Sequence, residues 1–136
     1  MKFSLQKPTD KQFDTICAFI KQFELDDRDL KKEQFTVAIN DSEVLGFGRL
    51  RKHADCMELC SLGVVIPHRM KGIGKAIVEE LIRSTAGTIY LVCIIPDFFK
   101  PLGFCTLKEF PASIENKINY CTQELAVPEA YVAMVF

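Results

Sequence analysis

Apolar residues recur along this chain with two different periods, and the changes of period mark its elements. Residues 2–6 alternate weakly, as a short first strand would. Thr9-Asp10-Lys11-Gln12 then fits a capping box, and Phe13, Ile16, Cys17 and Ile20 follow at helical spacing, which predicts an amphipathic helix over 10–23. The charged stretch 24–33 reads as a second, mostly solvated helical turn or loop. From Gln34 the period shortens. The β-rich run Phe35-Thr36-Val37-Ala38-Ile39, the turn residues Asn40-Asp41-Ser42 and an extended stretch over 44–50 predict a β-hairpin. A third β-rich run, 57–66, is closed by Pro67. Helical spacing returns in Ile73, Ile77, Val78, Leu81 and Ile82, with Lys75, Glu79, Glu80 and Arg83 on the other face, and predicts a helix over 75–85 stopped by Gly87. Residues 88–95 read as a buried strand, 96–102 as a short helix or turn with Pro at its start, and 104–107 as another short strand. A late helix covers 112–125, and the apolar tail 131–136 reads as an edge or inserted strand. The order predicts an α/β (α+β) domain built around one mixed sheet.

Composition narrows the class. With 136 residues the chain suits one compact domain spanning 1–136, and 49% hydrophobic with 26% charged residues excludes a disordered or fibrous chain. Lys plus Arg number 17 against 18 Asp plus Glu, so the net charge of -1 lacks the field that non-specific nucleic-acid binding needs; any anion site must be local. No apolar run approaches the roughly 18 residues of a membrane span, and Pro8 and Asp10 come too early for a signal peptide. The expectation is a soluble, cytoplasmic protein without nucleic-acid or membrane partners. The six cysteines form no C-x-x-C pair and read as free, mostly buried thiols. His53 and His68 match no zinc spacing, so no metal is expected.

The segment with the clearest chemistry runs from Val64 to Lys75, out of a strand, through a Gly-containing turn and into a helix. Gly72 and Gly74 let the backbone turn sharply and bring N–H groups to an anion, the helix start adds its unpaired donors, and Arg69, Lys71 and Lys75 add full charges. Two nucleotide motifs fail here. A P-loop places Gly where Arg69 stands and a hydroxyl where Ala76 stands, and a dinucleotide fingerprint needs a small residue where Ile77 stands. The bland alternative is that the two glycines only start a core helix.

Arg69-x-x-Gly72-x-Gly74 after an apolar strand resembles the acyl-CoA loop, Q/R-x-x-G-x-G/A, of the GNAT N-acetyltransferase superfamily. Phe98-Phe99-Lys100-Pro101-Leu102-Gly103-Phe104 is similar to the F-Y-x-x-x-G-F segment after that family's fifth strand, and Val44-Leu45-Gly46-Phe47-Gly48-Arg49-Leu50 resembles its third strand. The resemblance covers about residues 34–107. It implies a mixed, mostly antiparallel central sheet splayed between strands 4 and 5 and flanked by helices, with acetyl-CoA as cosubstrate and an amine as acetyl acceptor. Implied cofactor contacts are Leu62, Val64 and Ile66 along the strand, Arg69, Met70, Lys71, Gly72, Ile73, Gly74 and Lys75 around the turn, and Phe98 and Phe99 beyond it. The pantetheine amides would pair with main chain around Val64 and Ile66 in the manner of an added strand, ending with the thioester near residues 62–64.

An ammonium must lose a proton before it attacks a thioester, and Glu58 is the candidate base. It sits in a β-rich run where charge is costly unless paired or used, and it falls where several members of the resembled family carry a base. The competing reading has Glu58 facing solvent or pairing with Arg49 or Arg51. Where many relatives carry a Tyr that protonates the leaving sulfur, this chain has Phe99; the thiolate leaves unaided, or Tyr120 or Tyr131 reaches in. Cys60 and Cys93 have no adjacent His, so direct transfer is favoured over an acyl-enzyme. The tail residues Pro111 to Lys117, Tyr120-Cys121 and Ala133-Met134-Val135 are similar to small stand-alone amino-acid N-acetyltransferases. An amino-acid acceptor could be clamped by Arg49, Arg51 or Lys117. A catalytically silent acyl-CoA sensor and another kind of nucleotide-binding domain stay open as alternatives. Residues 131–136, if an edge strand, would offer a homodimer contact.

Overall fold

The computed structural model describes residues 2–125 and 127–136; Met1 and Ala126, which the single-domain reading of 1–136 includes, lie outside the described residues. The elements in chain order are β1 (Ser4–Gln6), α1 (Asp10–Gln22), β2 (Phe35–Asn40), β3 (Glu43–Lys52), β4 (Met57–Val64), α2 (Ile73–Arg83), β5 (Ile89–Cys93), α3 (Pro96–Phe99), β6 (Cys105–Leu107), α4 (Ala112–Glu124) and β7 (Val132–Val135). They form an open, mixed α/β arrangement with one seven-stranded sheet in the order β1-β2-β3-β4-β5-β7-β6. The pair β4–β5 is parallel, while β1–β2, β2–β3, β5–β7 and β6–β7 are antiparallel. Registered β4–β5 pairing is confined to Met57 with Ile89 and Glu58 with Tyr90.

The chain divides into two compact units. The first comprises Met1–Leu50 and Ser61–Ala86, the second Arg51–Cys60 and Gly87–Phe136. In the first, the capping box predicted for α1 is present: Thr9 Oγ1 accepts from the Gln12 N–H at 3.2 Å, and Gln12 Oε1 accepts from the Thr9 N–H at 2.9 Å. The stripe behind it buries Ile16 and Ile20 against Phe35, Val37, Val44 and Phe47 of the hairpin. Gly46 and Gly48 present no side chain where α2 crosses β3. A Cβ at Gly46 would come within 3.1 Å of Ile73 and Ile77, and one at Gly48 within 3.1 Å of Ile77. Their absence lets the helix rest its apolar stripe directly on the strand.

Three sequence readings change in this unit. The helix α2 starts at Ile73, two residues before the predicted 75, because Gly72 turns the chain one residue earlier. It ends on Ser84, whose hydroxyl donates to Leu81 O at 2.8 Å, so Gly87 is not its stop. The charged stretch 24–33 is not wholly solvated, since Asp26 is 3% exposed. Its Oδ1 accepts from the Arg28 main chain and Nε, both at 3.0 Å, and its Oδ2 from Arg28 Nη2 at 2.9 Å.

The second unit packs β5 and β7 against α4 and a run of rings. Phe99 meets Phe98 and Phe104 edge-on with centroids 4.9 and 5.6 Å apart, and Phe104 meets Phe136 at 5.4 Å. Of the two readings of the tail, the inserted one holds. The strand β7 lies between β5 and β6 and pairs with both, so it is no edge, and the homodimer contact argued from an exposed 131–136 loses its basis.

Candidate active site

The corner from Val64 to Lys75 lies in the first unit. A 3-10 turn over Ile66–His68, with Pro67 inside it, takes the chain out of β4; Met70 (φ 64°) and Gly72 (φ 82°) are left-handed, and α2 begins at Ile73. Ile73 is buried and anchors the helix start, while Arg69, Met70, Lys71, Gly72 and Lys75 are exposed. The first intrahelical bond is Ala76 N–H to Gly72 O at 3.1 Å, so the N–H groups of Ile73, Gly74 and Lys75 have no acceptor within the helix. They point out of the positive end of α2, beside three cationic side chains. At Gly72 a Cβ would meet nothing within 4 Å, so the requirement for glycine is its backbone angle and the open approach to it.

The main chain leading into the corner is also set. Val65 N–H donates to Leu45 O at 2.9 Å, and because successive strand N–H groups alternate in direction, that of Val64 faces the edge opposite β3. Val64 O accepts from Arg69 Nε at 2.8 Å, and the Arg69 guanidinium lies over the Phe23 ring at 5.2 Å. Earlier in β4, Ser61 adopts φ 52°, a left-handed residue inside a strand. Ser61 Oγ accepts from Arg49 Nε at 2.9 Å and donates to Asp26 O at 2.7 Å. Arg49 is fully buried and further donates to Gln34 Oε1 at 3.0 Å and Asp26 O at 3.2 Å. This network holds the kink in place and, with Asp26 Oδ1 3.8 Å away, commits Arg49 within the fold. Arg49 is therefore neither a partner of Glu58 nor a clamp for an acceptor.

Glu58 belongs to the second unit and is fully buried. Neither sequence reading of its partners holds. Its Oε2 accepts from Lys117 Nζ of α4 at 2.8 Å, and its Oε1 lies 2.8 Å from His53 Nε2. Lys117 is 4% exposed and shares the buried face of α4 with Ile114 and Cys121, at positions i, i+3 and i+7. That spacing was the sequence signal for an inward Lys; nothing comparable marked His53, which is brought in by the β3–β4 turn. The turn is held by His53 N–H to Cys56 O at 2.8 Å and by Asp55 Oδ2, which accepts from the Ser113 N–H at 3.0 Å and so caps α4. Hydrogen bonding by Ser113 lowers the Asp55 pKa, while burial, Asp55 and Glu58 push the Cys56 thiol up to about 12.

The other candidates are placed as follows. Leu62 is half-buried, Ile66 exposed, Phe98 36% exposed and Phe99 buried within the ring cluster. The Tyr131 hydroxyl donates to Leu125 O. The Cys93 thiol is buried, and burial raises its pKa, which disfavours the thiolate an acyl-enzyme would need. Among the described residues no group of three or more His, Cys, Asp or Glu could hold a metal, and no helix is long and apolar enough to cross a membrane.

Residues 3–104 match the Acetyltransferase (GNAT) family, and the chain belongs to that family. No curated protein matches it in sequence. Among solved structures it is similar to N-acetylglutamate synthase from Neisseria gonorrhoeae complexed with coenzyme A and N-acetyl-glutamate, with TM-score 0.75 and 14% identity over 99% of this chain. It spans only 35% of that synthase, about a third of its length. It is also similar to Rv2747 from Mycobacterium tuberculosis in complex with CoA and NLQ (TM-score 0.76, 15% identity, 98% of each chain). A third similar structure is Arabidopsis thaliana Naa50 in complex with the bisubstrate analogue CoA-Ac-MVNAL (TM-score 0.62, 18% identity, 100% of this chain and 99% of that one). At these identities the likeness shows a shared fold.

Proposed function

We propose that the chain acts over 1–136 as an acetyl-CoA-dependent N-acetyltransferase whose acceptor is a primary amine, a small molecule or amino acid. The observation that carries this reading is the corner before α2: three helix-start amides, a glycine at φ 82° and exposed Arg69, Lys71 and Lys75, in a family that uses acetyl-CoA. Lys71 to Lys75 hold the pyrophosphate through main-chain N–H groups. The pantetheine runs as an added strand past Val64 and Ile66, with Leu62 and Met70 giving apolar contact. The Val64 N–H, directed away from β3, meets the oxyanion of the tetrahedral intermediate.

Proton removal is organised around Glu58, the buried carboxylate of β4. Attack is direct; Phe99 has no proton to give and the Tyr131 hydroxyl donates to Leu125 O, so the CoA sulfur leaves as thiolate or takes its proton from Tyr120. An amino-acid acceptor is favoured by the N-acetyl-glutamate complex of the similar synthase. Its carboxylate is not met by Arg49 or Lys117, which are committed to partners within the fold.

The test is a melting shift with acetyl-CoA followed by CoA release with a panel of amines and amino acids. Ligand at 100 times its Kd should stabilise by about 2.7 kcal/mol. No shift overturns the cofactor assignment. A shift without turnover on any acceptor replaces the enzyme by an acyl-CoA sensor.

A further inference from the structure

We infer that His53, not Glu58, takes the proton from the acceptor ammonium, and that Glu58 and Lys117 are its positioning residues; this deepens the acetyltransferase reading and rests on it. Glu58 has no accessible surface, and both of its oxygens are engaged, Oε1 with His53 Nε2 and Oε2 with Lys117 Nζ, each at 2.8 Å. A carboxylate so enclosed cannot touch an incoming amine. The His53 side chain keeps 15% exposure and is the member of the trio that a substrate can reach.

The pairing also fixes the ring chemistry. An ionised carboxylate only accepts hydrogen bonds, so Nε2 carries the hydrogen and Nδ1 carries the lone pair. The Lys117 ammonium occupies the other oxygen, so the carboxylate is held between the two side chains and the ring is fixed by its Nε2 edge. The remaining titratable groups of the turn are Asp55, committed to Ser113 N–H, and Cys56, whose thiol is pushed up to about 12 and stays protonated. Neither competes for the proton.

In the reaction the ammonium N–H bond breaks, its electron pair stays on nitrogen, and the proton goes to Nδ1. The amine then forms the N–C bond to give the tetrahedral intermediate, whose collapse breaks the C–S bond and leaves its electrons on the CoA sulfur. The thiolate takes up the proton that the imidazolium gives back, and the second proton, shed by the acylated nitrogen, goes to solvent. Imidazolium next to Glu58 is the stabilised intermediate charge.

His53 and His68 are the only histidines, so the imidazole signals of the full-length protein can be assigned by comparing wild type with His53→Gln. Nitrogen-15 NMR should show His53 as the Nε2–H tautomer when neutral. In Glu58→Gln kcat should fall while the acid limb of kcat/KM remains, because the base is His53; loss of that limb in this variant would return the proton transfer to Glu58. In the acetyl-transfer assay, His53→Gln should lower kcat by about 100-fold, leave the KM for acetyl-CoA within about twofold and abolish the acid limb of kcat/KM. His53→Ala should regain rate with added imidazole. An Nδ1–H tautomer, or a His53→Gln protein that keeps the acid limb and at least a third of the rate, overturns the assignment. Loss of acetyl-CoA binding by wild type would instead overturn the acetyltransferase reading beneath it, and the melting shift separates the two.

Discussion

Replacing Lys117 by Met removes the ammonium bonded to Oε2 of the fully buried Glu58. The pair is short, 2.8 Å from Nζ to Oε2, with side-chain exposures of 5% and 0%. Removing one partner leaves Glu58 with the His53 hydrogen bond alone, and breaking a buried pair in this way costs about 3–5 kcal/mol. For a chain of this length each kcal/mol lowers Tm by roughly 3–5 °C, so the expected drop is roughly 10–25 °C. Glu58→Leu should cost a similar amount, because it removes the carboxylate bonded to the Lys117 ammonium at 2.8 Å. The double variant Glu58→Leu/Lys117→Met replaces two charges by apolar groups and should recover to within about 2 kcal/mol of wild type. Urea unfolding at neutral pH, with equal m values across the four proteins, gives the coupling energy directly. A Lys117→Met protein within about 1 kcal/mol of wild type, or a double variant as unstable as the sum of the singles, would refute the ion pair.

Other substitutions probe separate parts of the site. Glu58→Gln should leave acetyl-CoA affinity unchanged by calorimetry and slow transfer about 100-fold, since it removes charge behind the base and not the cofactor corner. Gly72→Asp should raise the Kd for acetyl-CoA by at least about tenfold, or 1.4 kcal/mol, through a side chain at φ 82° and a carboxylate facing the phosphates; unchanged affinity would remove the phosphate assignment. Gly63→Ala should lose about 1–3 kcal/mol in chemical denaturation, because its Cβ would lie 2.8 Å from the buried Phe47 ring, and a neutral result would mean the ring yields freely. Asp55→Ala should lower Tm at neutral pH. The Asp55 pKa is depressed in the fold, so its contribution is present above its unfolded value of 3.8 and is lost as pH falls through the folded one. The Tm gap between wild type and variant should therefore close in acid, and a gap that persists there would assign the effect to packing.

What the sequence determined by itself was local. The capping box, the stripes of α1 and α2, the hairpin and the glycine turn before α2 are each encoded within about ten residues, where spacing and backbone preference act directly. The corner at Gly72 was legible for the same reason, since its chemistry comes from its own main chain. Tertiary structure decided the partners. Whether Glu58 met an Arg of the hairpin or a Lys 59 residues away depended on how α4 packs on β5, which no periodicity specifies. The same holds for Asp26, which reads as one charge in a solvated run and is buried on Arg28 beside Arg49, and for the tail, whose place between β5 and β6 is a matter of topology. A buried charge is stable only with a countercharge; Arg28 is a local one for Asp26, whereas Arg49 beside Asp26 and Lys117 on Glu58 arrive only when distant segments fold together.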